Sequence, residues 1–426
     1  MSGARLAVIG GGIAGMAMAW LARARRDVVL FEAELQLGGH ADTQHVRLGA
    51  QEIAVDTGFI VLNDRNYPNL EAFFRELGVA THDTDMSFGV SIGGGELEYG
   101  GGSLAQLFAQ RRNLVRPRFL RMLRDVMRFN REAPSLLHAT GDESLGAWLD
   151  RNGYGRDFVE DHVLPMGAAI WSASVEGMRA FPARHFARFF HNHGLLTLND
   201  RPQWRTVTGG SRRYVERVAA TLGRRVRLSA PVRQVRRAEG GVIVVTDAGE
   251  ETFDEVVFAC HADQALAMLA DPAPATREIL GAVRFQPNRA VLHTDTALMP
   301  RRRAVWSSWN YLARDAADHG RAVSVTYWMN RLQGLRSERP LLVSLNPLVE
   351  PDPATVLRVR DYAHPQFDAA AMAAQERLGE IQGRDGLWFA GAWTGWGFHE
   401  DGIASAARVA RAMGLPVSWQ GADGAP

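Results

Sequence analysis

The chain contains no lysine: its 48 basic residues are all arginine. Schiff-base chemistry on a lysine amine is thereby excluded. A uniform arginine bias is also what a high-GC genome produces. There is one cysteine, Cys260, so no disulfide can form within the chain. Cysteine and histidine at zinc-type spacing are absent and the 13 histidines are scattered, so no metal site is predicted. No apolar run reaches the ~18 residues that span a bilayer. The net charge of +1 offers no global field for nucleic acid, and none is expected as a partner. The N-terminus runs straight into an apolar β-branched segment, which predicts no signal peptide and a cytoplasmic location. With 426 residues, 46% hydrophobic and 22% charged, the chain has room for two domains or one large α/β unit.

What is present begins at once. Arg5-Leu6-Ala7-Val8-Ile9 reads as a strand, and Gly10, Gly12 and Gly15 follow in a G-x-G-x-x-G frame. A helix is predicted from Ile13 to about Ala24, with Ala14 in its first turn, then a second strand over Val28–Phe31 that ends on Glu32. Gly10 permits the tight turn and Gly12 lets a pyrophosphate lie against the backbone. Gly15 lets helix and sheet approach, and the helix N-terminus offers N–H groups and a positive dipole end. Glu32 is spaced to accept hydrogen bonds from an adenosine ribose. Strand, turn, helix and acid in register predict a dinucleotide-binding unit.

The continuation indicates which dinucleotide. Ala33-Glu34-Leu35-Gln36-Leu37-Gly38-Gly39-His40 resembles the FAD-binding signature of the flavin amine oxidase and phytoene desaturase superfamily. Asp56-Thr57-Gly58-Phe59, with Ile60 beyond, looks like the next segment of that superfamily, near the isoalloxazine ring. Gly391-Ala392 and His399-Glu400-Asp401-Gly402-Ile403 resemble its closing motif, where a helix N-terminus faces the flavin pyrimidine edge. The implied fold is α/β, a Rossmann-like FAD-binding domain of the amine oxidase type with an inserted α+β substrate domain. Many amine oxidases of the superfamily hold a lysine near the flavin and some hold a cysteine thioether. Neither has a counterpart here, so the resemblance implies noncovalent FAD and speaks against the usual amine oxidase mechanism. His293-Thr294-Asp295, residues 306–311, residues 201–211 and residues 397–402 are similar to a bacterial branch of FAD-binding proteins associated with cyclopropane-fatty-acid-synthase-like methyltransferases. That resemblance implies chemistry on a lipid acyl chain, desaturation of a methylated chain towards furan fatty acids among the options, and a methyltransferase as partner. An amine or amino-acid oxidase and a non-catalytic flavin-binding partner protein are the alternatives.

The FAD-binding domain is expected to be discontinuous, over residues 1–75, 206–285 and 384–414. Residues 76–205 and 286–383 form the substrate domain, and 415–426 a tail. Strands are predicted at Val226–Leu228, Val232–Arg237, Val242–Thr246, Glu255–Ala259, Ala290–Thr294, Ala304–Tyr311 and Ala322–Trp328. The resemblance puts the backbone of Val232 against the adenine. His399 and Glu400 are the candidate acid/base groups. The bland alternative is that His399 packs on the flavin ring while Glu400 and Asp401 bond backbone at the helix start. Trp171, Trp309, Tyr327 and Trp396 are candidates for an apolar substrate tunnel, with ordinary core packing as the competing reading. His293 and Asp295 are read as a pair on one strand face, and His191 and His193 as structural. Residues 111–131 carry eight arginines against one acid, Asp125, with apolar residues at near-helical spacing. This is a core-facing helix with a solvated arginine face, or a basic amphipathic helix lying peripherally on an anionic membrane.

Overall fold

A computed structural model of the chain describes residues 4–139, 141, 143–171, 175–197, 201–315 and 321–419. Five strands, Arg5–Ile9, Asp27–Phe31, Val226–Arg227, Glu255–Phe258 and Leu387–Phe389, form an all-parallel sheet in the order 3-2-1-4-5 along the chain. The order reverses between Arg5–Ile9 and Glu255–Phe258, and the crevice beyond the carboxyl ends at such a switch is where ligands bind in open α/β sheets.

Period-two alternation sets the layers. Leu6, Val8, Val28, Leu30 and Val257 point to one face, against helices Ile13–Ala22, Pro68–Leu77, Arg212–Leu222 and His399–Ala412. Ala7, Ile9, Val29, Phe31, Val256 and Phe258 point to the other, against an antiparallel meander of Val232–Ala238, Gly241–Thr246 and Gly249–Phe253. Both faces of the central strands are buried, so residues 6–9, 28–31 and 256–258 are apolar without alternating polar residues.

A second sheet of seven strands runs, in spatial order, Val356–Pro365, Phe285–His293, Leu342–Leu345, Arg321–Trp328, Trp309–Asp315, Phe88–Ile92 and Leu97–Gly100. It shares one apolar core with helices drawn from residues 117–192. Trp204–Val207 pairs with both Val61–Asn63 and Thr81–Asp83.

Several expected boundaries move. The first helix ends at Ala22 rather than Ala24. The strand expected over Ala304–Tyr311 runs Trp309–Asp315 instead. Ser307 N–H donates to Asn310 Oδ1 at 2.9 Å and Asn310 Nδ2 returns to the Ser307 carbonyl at 2.6 Å, a local turn that uses the groups a strand would have paired. His293 ends its strand, and Asp295 caps a following turn by accepting from Ala297 N–H. They are therefore not the strand-face pair the sequence suggested. Of the expected tail, Leu415 and Trp419 are buried in the core, and Trp419 Nε1 donates to Asn69 Oδ1 at 3.2 Å. Residues 420–426 lie outside the described residues. No helix among the described residues is long and apolar enough to cross a membrane.

Candidate active site

The two glycine motifs meet backbone to backbone. Gly38 N–H donates to the Gly11 carbonyl at 2.9 Å. A Cβ on Gly39, whose φ is +57°, would sit 3.2 Å from the Gly12 Cα. Gly15 packs so closely that a Cβ there would lie 1.8 Å from the Gly10 carbonyl oxygen. Gly12 differs, because a Cβ on it would meet nothing within 4 Å. The helix Ile13–Ala22 has no side-chain cap and no acid in its first turn, so its N–H groups and dipole face that open side. Glu32 accepts from Gly11 N–H at 2.7 Å and Glu34 N–H at 2.9 Å, which fixes its carboxylate beside the turn. Ala230 N–H donates to the Glu32 carbonyl, bringing the chain to Val232 past the same end. Ala33 is exposed beside it.

The other motifs converge on the same crevice. A Cβ on Gly402 would lie 2.8 Å from Ile13 Cγ2, so the two helix N-termini nearly touch, with Ala392 and Ala14 N–H alongside. Gly391 N–H donates to Ser405 Oγ, and Ile403 is fully buried beneath. Phe59 N–H donates to the His40 carbonyl, and a Cβ on Gly58 would strike that same oxygen at 2.3 Å. Thr57 Oγ1 lies 2.7 Å from the Tyr362 hydroxyl, and the Ile60 carbonyl accepts from Thr206. His40 stacks on Tyr362 with centroids 5.0 Å apart and lies 5.2 Å from His364. Its Nε2 is buried with no hydrogen-bond partner among the described residues, which fits a polar group awaiting a ligand. Burial pushes the His40 pKa well below the ordinary imidazole value, and neighbouring His364, His261 and His399 add to that.

At the end expected to meet the flavin ring, His399 stacks on Phe59 with centroids 3.8 Å apart, and its Nε2 lies 3.1 Å from the Tyr214 hydroxyl. Burial raises the Tyr214 pKa, so its hydroxyl stays protonated beside the imidazole. Burial lowers His399 itself to about 3. Glu400 turns the other way. Its Oε1 accepts from Asn69 N–H at 3.0 Å and Asn69 Nδ2 at 2.8 Å, and its Oε2 from Leu70 N–H at 2.9 Å. It caps helix Pro68–Leu77 from outside, and desolvation raises its pKa to about 7. Asp401 accepts from Phe398 N–H at 2.9 Å at the start of its own helix.

The four aromatic candidates separate into three places. Trp309 and Tyr327 are cross-strand partners with centroids 5.3 Å apart. Trp171 is buried among Phe181, Phe186 and Phe189, on a helix packed over those two strands. Trp396 lies 5.3 Å from His185. The indole N–H groups of both Trp171 and Trp309 are buried without a partner among the described residues. His193 stacks on Phe189 and its Nδ1 meets the Phe189 carbonyl at 2.9 Å, a structural histidine.

Residues 13–338 match the family described as flavin containing amine oxidoreductase. The chain belongs to that family. A Mycobacterium tuberculosis protein named as a flavin-containing monoamine oxidase, AofH, is 28% identical over 276 residues, covering 62% of this chain and 58% of the relative. The chain thus matches under two thirds of that relative's length. Among solved structures, cyclohexylamine oxidase from Brevibacterium oxydans superposes with a TM-score of 0.69 at 15% identity, covering 97% of this chain and all of the other. A CLA-producing fatty acid isomerase from P. acnes gives 0.67 at 14%, covering 96% and 98%. Putrescine oxidase bound to putrescine gives 0.65 at 16%, with the same coverages. At such identities the likeness concerns the fold. The cofactor is FAD, and the open side of Gly12 and the Glu32 carboxylate fit its phosphates and ribose.

Sequence reasoning passed over the strand Val356–Pro365. Tyr362 and His364 lie two apart on it and so share a face, the one readable signal. Asp42 was also missed. It accepts from Tyr362 and Arg360 at 2.9 and 2.6 Å, tying the segment after the glycine pair to the seven-stranded sheet.

The buried histidines predict a pH dependence. Burial holds His399 at about 3 and His162, His193, His293 and His364 at about 4, against ~6.5 when free. Between those values the unfolded chain binds more protons, so stability falls as pH drops. Glu400 at about 7, with Asp401 and Asp56 at about 6, work in reverse, adding stability as pH falls from their folded to their unfolded values. The histidines are more numerous. The Tm of the holoprotein is expected to fall from pH ~6.5 to ~4.5, and a rising Tm over that range would mean that the carboxylates dominate.

Proposed function

We propose that this flavin oxidoreductase dehydrogenates a C–C bond in a lipid acyl chain. The observation that supports this reading best is how the carboxylates around the ring end are used. Glu400 is taken by helix Pro68–Leu77 and Asp401 by Phe398 N–H. Asp42 is held by Arg360 and Tyr362, and Asp56 by Ser211, Thr43 and Gln333. None of these four carboxylates stands ready for a substrate ammonium, and the nearby histidines are held neutral by burial. Aromatic walls and neutral polar groups suit an uncharged chain better than a cation. The fold also occurs in a protein named as a fatty acid isomerase. A methyltransferase acting on unsaturated acyl chains would supply a methylated substrate.

When bound, FAD supplies a two-electron acceptor. The chain's own part is to orient the substrate and exclude water, and Trp309, Tyr327 and Trp171 are the residues offered for that wall. His399 acts as a positioning residue in this reading, because its ring face is used by Phe59 and its Nε2 by Tyr214. His399→Phe keeps the stacking and removes the imidazole. It is expected to retain FAD and to lower kcat less than about tenfold, whereas loss of a general base costs ~10²–10⁴-fold. A larger fall with flavin intact would assign proton transfer to His399.

Amine oxidation is the second reading, favoured by the relative named as a monoamine oxidase. Anaerobic stopped-flow mixing of the FAD-loaded protein with methylated and unmethylated phospholipids, and with amines in parallel, separates the two. Bleaching near ~450 nm is expected with acyl chains alone. Bleaching with amines alone would reverse the assignment.

A further inference from the structure

The helix Pro117–Glu132 buries one face and leaves the opposite face open. Phe119, Met122, Asp125 and Phe129 are buried, and Arg128 Nη2 ties it to the Asn152 carbonyl. On the far side, at i, i+4, i+7 and i+11, stand Leu120, Arg124, Met127 and Arg131, all exposed. Met127 is 65% exposed and Leu120 44%; just before the helix, Leu114 and Val115 are 54% and 80% exposed. Of nine exposed large apolar side chains among the described residues, these are four, within 14 residues of chain. Isolated exposed apolar residues need no explanation, but a cluster interleaved with cations does.

The charge around the cluster has one sign in excess. Between residues 97 and 131 the only acids are Glu98 and Asp125, and both are buried. Acids pair with some of the arginines: from neighbouring elements Glu96 with Arg116, Asp157 with Arg118 and Arg121, and Asp161 with Arg118, and on the helix itself Asp125 with Arg124 and Glu132 with Arg128 and Arg131. Of these arginines, Arg121, Arg124 and Arg131 are exposed, while Arg116, Arg118 and Arg128 are half-buried. A largely exposed pair such as Arg131 with Glu132 is worth about 0–1 kcal/mol, so phosphate can replace the carboxylate there at little cost. Arg111 and Arg112 are exposed beside Leu114 and Val115.

We propose that this face docks the protein on an anionic phospholipid bilayer, with Leu114, Val115, Leu120 and Met127 entering the headgroup boundary and Arg111, Arg112, Arg124 and Arg131 meeting lipid phosphates. Alternation of apolar and cationic side chains on one stripe is what an interfacial helix needs, and the excess of arginine selects a negative surface. The proposal does not rest on the acyl-chain reading, since membrane docking can hold while that oxidation fails.

The test is flotation of the FAD-loaded full chain with vesicles of phosphatidylcholine alone and of phosphatidylcholine with phosphatidylglycerol. Partitioning is expected to be at least about tenfold greater on the anionic vesicles and to weaken with added salt. Leu120→Glu combined with Met127→Glu is expected to reduce it at least about tenfold with flavin absorbance unchanged, because both side chains point away from the core. Arg233→Glu, on the exposed edge of the meander, is expected to leave it unaltered. Equal partitioning on neutral and anionic vesicles, no partitioning on either, or partitioning that survives the double substitution would each overturn the proposal. If the double variant loses flavin, Arg124→Glu with Arg131→Glu provides the same discrimination.

Discussion

Gly12→Asp is expected to give a folded but colourless protein. Gly12 has φ −73° and ψ −174°, an extended conformation open to any residue, and a Cβ there meets nothing within 4 Å. The apoprotein therefore has no reason to resist the change. The new carboxylate would stand in the space that the helix N-terminus and glycine turn leave for the pyrophosphate. Two like charges ~4 Å apart at an effective dielectric near ~20 repel by about 4 kcal/mol, so FAD affinity is expected to fall ~10³-fold before steric exclusion is counted. Flavin absorbance after purification and FAD titration of the apoprotein read the effect, and the far-ultraviolet dichroism should be unchanged. Gly15→Ala makes the contrast. Its Cβ would lie 1.8 Å from a backbone oxygen, so that variant is expected to misfold rather than merely lose cofactor. A yellow Gly12→Asp protein would move the pyrophosphate elsewhere.

Glu400→Ala is expected to cost about 2–4 kcal/mol of stability, one of the largest effects available outside the core. Glu400 accepts three hydrogen bonds from Asn69 and Leu70, and two of the donors are backbone N–H groups in the first turn of helix Pro68–Leu77. Pro68 has no N–H, so this carboxylate serves the first donors that the helix presents. Truncation leaves them poorly satisfied beside a packed helix. Glu400→Gln retains an acceptor oxygen for one side only and is expected to cost about half as much. Chemical denaturation of holoprotein and variants measures both. At a temperature where all remain folded and flavin-loaded, Glu400→Gln is expected to turn over within about tenfold of the parent, as a capping group should. Loss of ~10²-fold or more would instead make Glu400 a proton-transfer group.

The nucleotide end of the site was largely legible in the chain because its logic is local. Gly10, Gly12, Gly15 and Glu32 act through backbone sterics and dipoles within a single strand-turn-helix-strand unit, and spacing alone orders them. Gly38, Gly39 and the 391–403 segment were legible by resemblance, and the fold brings them to the same crevice. The ring end was less legible. His399 and Glu400 are adjacent in sequence, yet one stacks under Phe59 and the other turns to a helix that begins 332 positions earlier. Helical geometry separates adjacent side chains by about 100°, and only the packing of neighbours decides what each one meets. His40, Tyr362 and His364 show the same limit, since a pairing between residues over 300 positions apart leaves no local pattern.

By itself the sequence determined the parallel nucleotide unit, through apolar strands buried on both faces and glycines where a Cβ could not fit. It also determined the absence of any lysine amine. Tertiary structure alone decided which carboxylates are committed and which face of Pro117–Glu132 is left to solvent. Those outcomes depend on desolvation and on partners that arrive from distant segments, and neither is a property of any short stretch of chain.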